Sequence, residues 1–341
     1  MLQTGIGNAR KPVLFGAGSR YGEDHNVSPG DYYTFFRFAR EDVPKLVSAL
    51  RIPPEFVLDA AKNWKIDGEE ALLILLRRLA YPNRLVDLSW FFHRSVGAIS
   101  TIVRVVLSHL ERVASVKLDN FAFDFWSDSM PSFAAAVKAK RAPLDDCVGF
   151  VDGVFRAMCR PGRDGQYGDA QRAFYNGYKK AHGIEFQGVM LPNGMFAEMN
   201  GPYASRMNDK QIMDASGFAV RLAAWIRRSG TRIFIYGDCG YVLDGYIVVP
   251  FCNTGATANQ RDFNRKMSKV RIGVEWGFGE VASLFAFCAY PEDLKLDKQP
   301  LGTYWRVATL LFNCHSCLYG NQGSKYFNVG TPNLEDYLSD I

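Results

Sequence analysis

The stretch TRIFIYGDCGYVLDGYIVVPF, residues 231–251, decides how the rest of the chain is read. Residues 232–236 form a short, largely apolar run rich in β-branched and aromatic types, which predicts a strand. Gly237 ends it, and an acid, Asp238, follows at once. Two other segments set an acid in similar surroundings: CVGFVDGVFRAMC (147–159) puts Asp152 inside a candidate strand, and SKVRIGVEWGFGEV (268–281) carries Glu275 on a candidate helix. Three acids on two strands and a helix can converge. Such a trio suits a hard divalent cation such as Mg²⁺, which prefers carboxylate oxygen and needs few protein ligands where phosphate supplies the rest.

Each acid also has a plainer reading that the residues alone leave open. Asp152 lies between Gly149 and Gly153 in an apolar run, where a lone buried carboxylate is costly and must be paired, hydrogen-bonded or metal-bound; a structural acid in a turn fits as well. Asp238 sits among the glycines of GDCGY, which suits a simple turn or a close ligand. Glu275 borders the apolar stripe Met267, Val270, Val274, Phe278 and Val281, and Arg271 four residues earlier makes an ordinary helical ion pair with it conceivable. Gly273, Gly277 and Gly279 each weaken that helix by ~1 kcal/mol relative to Ala, a cost that makes sense where helix and sheet or ligand pack closely.

The pattern around these acids is α/β. Strand-like runs at 149–159, 184–191, 195–199 and 232–236 are broken by PNG (192–194), a hairpin signal, and by an amphipathic helix over 208–228. Strand, strand, strand, helix, strand, helix is the order of an RNase H-like core. Ahead of it the pattern is helical. Residues 32–60 carry aromatics at helical spacing interrupted at Pro44, Pro53 and Pro54; Asp67 caps a helix through EEALLILLRRLAY that Pro82 ends. RLVDLSWFFH and RSVGAISTIVRVVLSHLERV then form a helix pair, with Ser95 as N-cap and Ile99, Ile102, Val103 and Val106 as the buried stripe. A short helix, a turn at 93–95 and a second helix have helix-turn-helix proportions, with Arg94, Ser100, Thr101 and Arg104 on the exposed side; a plain helical bundle is the commoner meaning of such a pattern.

With 341 residues, 48% hydrophobic and 14% aromatic, the chain is long enough for two folded domains. A net charge of +5 is compatible with a polyanionic partner without requiring one. Seven cysteines without regular spacing point to reduced thiols, and with no signal-peptide core and no run near ~20 apolar residues the expectation is an intracellular soluble protein with no membrane partner. Basic residues gather near the acids: Arg156, Arg160, Arg163, Arg172, Lys179 and Lys180 in one group, Arg261, Arg265, Lys266, Lys269 and Arg271 in another, with Tyr175, Tyr178 and His182 interleaved. They suit a phosphate backbone, or simply a solvated basic face. Cys314 and Cys317 form one CxxC without a second pair at zinc spacing, and no GxxxxGK[ST] or HExxH occurs.

Five blocks, FVDGVFRAMCRP, QRAFYNGYKKAHGIEFQGVMLPNG, GPYASRMNDKQIMDAS, YGDCGYVLDGYIVVPF and RKMSKVRIGVEWGFG, occur in the order in which the chain resembles DDE-superfamily transposases of the PIF/Harbinger type and their domesticated nuclease relatives. The resemblance spans roughly residues 149–287. It implies that Asp152, Asp238 and Glu275 hold catalytic Mg²⁺ or Mn²⁺ for two-metal cutting and joining of phosphodiester bonds at transposon ends. Val154 stands where many members have Thr, and Glu280 is a second acid near Glu275 outside the Arg-x-x-x-Glu context. The resemblance further implies double-stranded DNA as partner, a Myb-like partner protein and a nuclear location; the basic residues expected to contact DNA are Arg94, Arg104, Arg160, Lys179, Lys180 and Arg271, and a homo-oligomer is expected. A DNA-binding or scaffolding descendant that no longer cuts is the alternative. The expected layout is an irregular leader at 1–31, an all-helical DNA-binding region at 32–115, a linker helix at 116–144, an RNase H-like DDE nuclease domain at 145–320 and a C-terminal tail at 321–341.

Overall fold

The computed structural model describes residues 27, 29–162, 168–296, 298–339 and 341. The expected leader, apart from 27 and 29–31, and Arg163 lie outside the described residues. The chain divides into two compact units, one up to Ser108 and one from His109.

The first unit contains α1 (Pro29–Phe36), α2 (Val43–Ala49), β1 (Glu55–Asp59), β2 (Trp64–Asp67), α3 (Gly68–Ala80), α4 (Leu85–Phe91) and the start of α5 (Val96–Leu118). Asp67 caps α3 by accepting from the Glu70 amide at 2.9 Å, with acids in the first turn and Arg77 and Arg78 in the last, as the macrodipole favours. Leu72 to Leu76 are all essentially buried, as are Glu70 and Arg78, so α3 is enclosed nearly all round and forms the centre of this unit. The region is not all-helical: β1 and β2 pair antiparallel, Phe56 opposite Ile66. Pro53 and Pro54 bar a helix ahead of Glu55, Phe56 is buried while Val57 is exposed in strand alternation, and Asn63 takes the left-handed conformation (φ 46°) in the connecting turn. The turn from α4 to α5 passes through His93 at φ 51°, and Ser95 accepts from the Ala98 amide at 3.2 Å, the N-cap its sequence predicts.

The second unit continues with α6 (Phe123–Trp126), α7 (Met130–Ala139), β3 (Cys147–Ala157), α8 (Gly168–Ala173), β4 (Tyr175–Asn176), β5 (Ala181–Met190), β6 (Phe196–Ala204), α9 (Asp209–Ser216), α10 (Phe218–Ser229), β7 (Phe234–Tyr236), β8 (Ile247–Val248), α11 (Ala258–Leu284), α12 (Leu301–Tyr319), α13 (Gln322–Phe327) and α14 (Leu334–Tyr337). In place of one linker helix over 116–144, the end of α5 and the short helices α6 and α7 cover that stretch, broken at Ala122 in a left-handed conformation. The expected helix over 208–228 is two, because Gly217 at φ 65° ends α9 and the Ser216 hydroxyl accepts from the Phe218 amide at 3.3 Å.

The sheet runs β4-β5-β3-β7-β8, with β6 also on β5. β3, β5 and β6 form an antiparallel meander, while β7 lies parallel to β3 and β8 parallel to β7. This mixed α/β arrangement is consistent with an RNase H-like core. Gly194 at φ 75° makes the PNG turn between β5 and β6, and Gly194 donates to the Leu191 carbonyl at 2.8 Å. Helix α11 packs on β3 and β5. Gly273 and Gly277 make that approach possible: a Cβ on Gly277 would stand 2.8 Å from Met190 Sδ and 3.0 Å from Phe196 Cζ, whereas one on Gly279 would meet nothing within 4 Å. The last stretch is packed rather than trailing. Phe327 stacks on Phe150 of β3 with ring centroids 5.9 Å apart, and Asn321 donates to the Asn193 carbonyl at 2.9 Å.

Candidate functional site

Register brings the first two acids together. β3 and β7 are parallel neighbours with Phe150 opposite Tyr236, and Asp152 and Asp238 each follow two residues later. They therefore leave the sheet at the same level and on the same face. Asp152 is largely buried, with 16% of its side chain exposed; Oδ1 accepts from the Gly153 amide at 3.0 Å. Asp238 Oδ1 accepts from the Gly240 amide at 2.8 Å, which holds the carboxylate in its turn. Burial, opposed by Arg271 and reinforced by Asp238, leaves the Asp152 carboxyl raised to about 6.

Arg271 is the hub. From α11 its Nη1 donates to Asp152 Oδ2 at 2.5 Å and its Nη2 to Glu275 Oε1 at 3.0 Å. Burial disfavours the guanidinium charge, yet Asp152, Glu275 and Asp238 outweigh it and its pKa rises. Glu275 thus joins the site through Arg271, but with 53% of its side chain exposed. Glu280 is turned elsewhere, accepting from the Gln322 amide at 3.0 Å.

A cleft of about 580 Å³ opens over this end of the sheet, and its acids are Asp152, Asp238, Asp209 and Glu185, without Glu275. Asp209 opens α9, where Asn208 caps by accepting from the Gln211 amide at 2.9 Å. Its carboxylate wedges between the two turns: a Cβ on Gly153 would lie 2.9 Å from Asp209 Oδ1, and one on Gly240 would overlap Asp209 Oδ2 while standing 3.1 Å from Asp238 Oδ1. Gly153 and Gly240 are needed to let the third carboxylate in. Burial raises the Asp209 carboxyl, and Asp238 adds to the shift. Glu185, on β5, is lifted to about 7, first by burial and then by Asp209, with Lys179 opposing. The Tyr241 hydroxyl, buried beside this cluster, has no hydrogen-bond partner among the described residues, and burial followed by Asp209, Asp152 and Asp238 raises its pKa well above the usual value. Asp209 and Glu185 were missed by sequence reasoning. The amphipathic helix read over 208–228 puts Asp209 in its first turn, but no spacing ties it to Asp152.

The donor set is all carboxylate oxygen, and one guanidinium faces the charges of Asp152, Asp238 and Glu275, so the site carries excess negative charge of the kind hard cations satisfy. The residues fit Mg²⁺ or Mn²⁺ in chemistry and charge. In the arrangement seen, with Arg271 standing between Asp152 and Glu275, no group of three or more His, Cys, Asp or Glu side chains among the described residues is set to hold a metal ion.

The expected DNA contacts separate. Arg104 is exposed on α5, and Arg160, Lys179 and Lys180 are exposed around the cleft. Arg94 is not on an exposed side: it is 5% exposed and grips the 2% exposed Glu70 with Nε at 2.6 Å and Nη2 at 2.5 Å. Burying Glu70 in α3 demanded a bidentate partner, and the arginine just past the α4 turn supplied it. No helix among the described residues is long and apolar enough to cross a membrane.

Residues 151–313 match the family model described as DDE superfamily endonuclease. No curated protein and no solved structure matches the chain significantly.

Proposed function

We propose, from the match of residues 151–313 to the model described as DDE superfamily endonuclease, that the protein cuts and joins DNA phosphodiester bonds at transposon ends, with Asp152, Asp238 and Glu275 holding Mg²⁺ or Mn²⁺. The observation that carries this reading is the register that sets Asp152, within β3, beside Asp238, just past the end of the parallel strand β7, with Glu275 linked to Asp152 through one guanidinium. Bound at these carboxylates, two divalent ions supply activation of the attacking oxygen and charge neutralisation at the leaving oxygen. The chain's own residues do the rest. Asp152 and Asp238, fixed by β3, β7 and the Gly240 amide, would hold those ions and through them set where the reacting phosphate sits. Lys179, at the rim of the cleft, and Arg160 and Lys180 beside it attract the polyanion that the acids alone would repel. The turn between α4 and α5, with Arg104 exposed, supports a helix-turn-helix contact to duplex DNA, with Arg94 as its internal brace. A Myb-like partner and work in the nucleus follow from the resemblance to Harbinger-type relatives, and a homo-oligomer is part of the same proposal.

A second reading is favoured by the Arg271 bridge: a descendant whose acids are tied up internally and which binds DNA or scaffolds without cutting. A nicking assay on supercoiled DNA with Mg²⁺ or Mn²⁺ separates the two. Metal-dependent nicking by the parent that is lost in Asp152→Asn supports the nuclease. Equal binding with no nicking in either protein supports the silent descendant.

A further inference from the structure

Beside the acid cleft lies a second groove of about 530 Å³, lined by Arg160, Gln171, Arg172, Tyr175, His182 and Arg206. The two share Tyr175 and Arg206, so one runs into the other. Their charges are opposed: the cleft lining holds four acids, and the groove lining holds three arginines and no acid. Among the described residues none of Arg160, Arg172 and Arg206 has an ion-pair partner. Arg160 is held instead by a neutral amide, donating to Gln171 Oε1 from Nη2 at 3.1 Å, while Gln171 Nε2 donates to the Pro161 carbonyl at 2.8 Å and the Gly162 carbonyl at 3.1 Å. That clamp orients the guanidinium without neutralising it. Tyr175 and His182 face each other across the β4–β5 pairing with ring centroids 5.2 Å apart.

Three guanidinium groups around one groove, without an ion-pair partner among the described residues, repel one another, a cost that a row of phosphates relieves. A strand whose reacting phosphate sits over four carboxylates also needs cations under its neighbouring phosphates. We infer that the groove lined by Arg160, Arg172 and Arg206 seats the DNA phosphates that flank the cut, so that the strand runs from this groove past Tyr175 and Arg206 into the acid cleft. The inference rests on the nuclease reading and adds to it the direction of the strand and the residues that carry it. Tyr175 and His182 offer ring surfaces to sugars or bases with little demand on sequence.

The test is the salt dependence of binding, measured by fluorescence anisotropy of the full chain with a labelled short DNA duplex in a KCl series without divalent cations. Arg172→Gln/Arg206→Gln removes two exposed charges from the groove; Arg227→Gln/Arg232→Gln removes two exposed charges toward the opposite end of β3, where Arg232 lies near Asp146. Thermal melts establish that all three proteins are folded. Each lost phosphate contact lowers the slope of log K against log salt by about 0.9, so the groove variant is expected to lose roughly 1.8 and the other variant much less. Equal losses in both, an unchanged slope in the groove variant, or no DNA binding by the parent overturns the inference. If the parent nicks DNA in a metal-dependent way while the groove variant keeps its slope, the groove assignment fails and the nuclease reading stands. If the slope depends on the groove but no nicking occurs, the nuclease reading fails and the groove remains a DNA seat.

Discussion

Arg271 and Asp152 are 119 residues apart in the chain, yet Arg271 Nη1 donates to Asp152 Oδ2 at 2.5 Å, tying the long helix to the central strand at the floor of the cleft. In the absence of a divalent ion this guanidinium is the cation that keeps a buried acid partly ionised.

Removing it has a measurable sign. Arg271 lowers the Asp152 carboxyl from where burial and Asp238 would put it, and with Arg271 present the value is already about 6. In Arg271→Gln without metal, carbon-13 NMR titration of the carboxyls is expected to place Asp152 about one to three pH units higher than in the parent. A midpoint that stays put, or falls, contradicts the bridge.

Glu185 predicts a pH-dependent stability. Its folded value of about 7 lies above the ordinary 4.5, so the folded chain holds the proton more tightly. The stabilisation from the protonated group is full below pH 4.5 and is lost as pH rises through about 7. Glu185→Gln is therefore expected to melt with the parent at pH 4.5 and above it at pH 8. A Tm difference that does not grow with pH sinks the assignment.

Much of this was readable before any coordinates. The strand around Asp152, the PNG turn and the short strand before Asp238 follow from local composition, because alternation, glycine and β-branching act over a few residues. What was not readable depends on partners distant in sequence. Arg94 looked like a surface cation beside a turn until Glu70, buried on α3, claimed it. Asp209 is one more polar residue at the start of an amphipathic helix in the sequence, and only the packing of α9 against β5 and β6 brings it between Gly153 and Gly240. The strand β1 was hidden because a run of apolar residues after two prolines fits either period.

The Arg94 pair gives a stability test in the first unit. Arg94→Ala leaves Glu70 buried without its bidentate partner and is expected to cost ~3–5 kcal/mol in urea unfolding, while Arg94→Met/Glu70→Leu recovers most of it. If Arg94→Ala were harmless to folding and weakened only DNA binding, the brace would be refuted.

Two glycines on α11 are expected to behave oppositely. Gly277→Leu drives a side chain into Met190 and Phe196 and is expected to cost ~1–3 kcal/mol, whereas Gly279→Ala, with open space around it, is expected to gain ~0.5–1 kcal/mol from helix propensity. Chemical denaturation of both reads the difference. A gain at Gly277 would mean that α11 does not sit this close to the sheet.

The ring of Phe327 covers Phe150, two residues from Asp152 on the same strand. Anyone trimming this protein to its matched domain at Gly320 would strip that lid from the face of the strand that also carries Asp152 and withdraw the Asn321 amide from the β5–β6 hairpin. The shortest workable fragment must therefore carry α13, however dispensable its six residues look beside the acids.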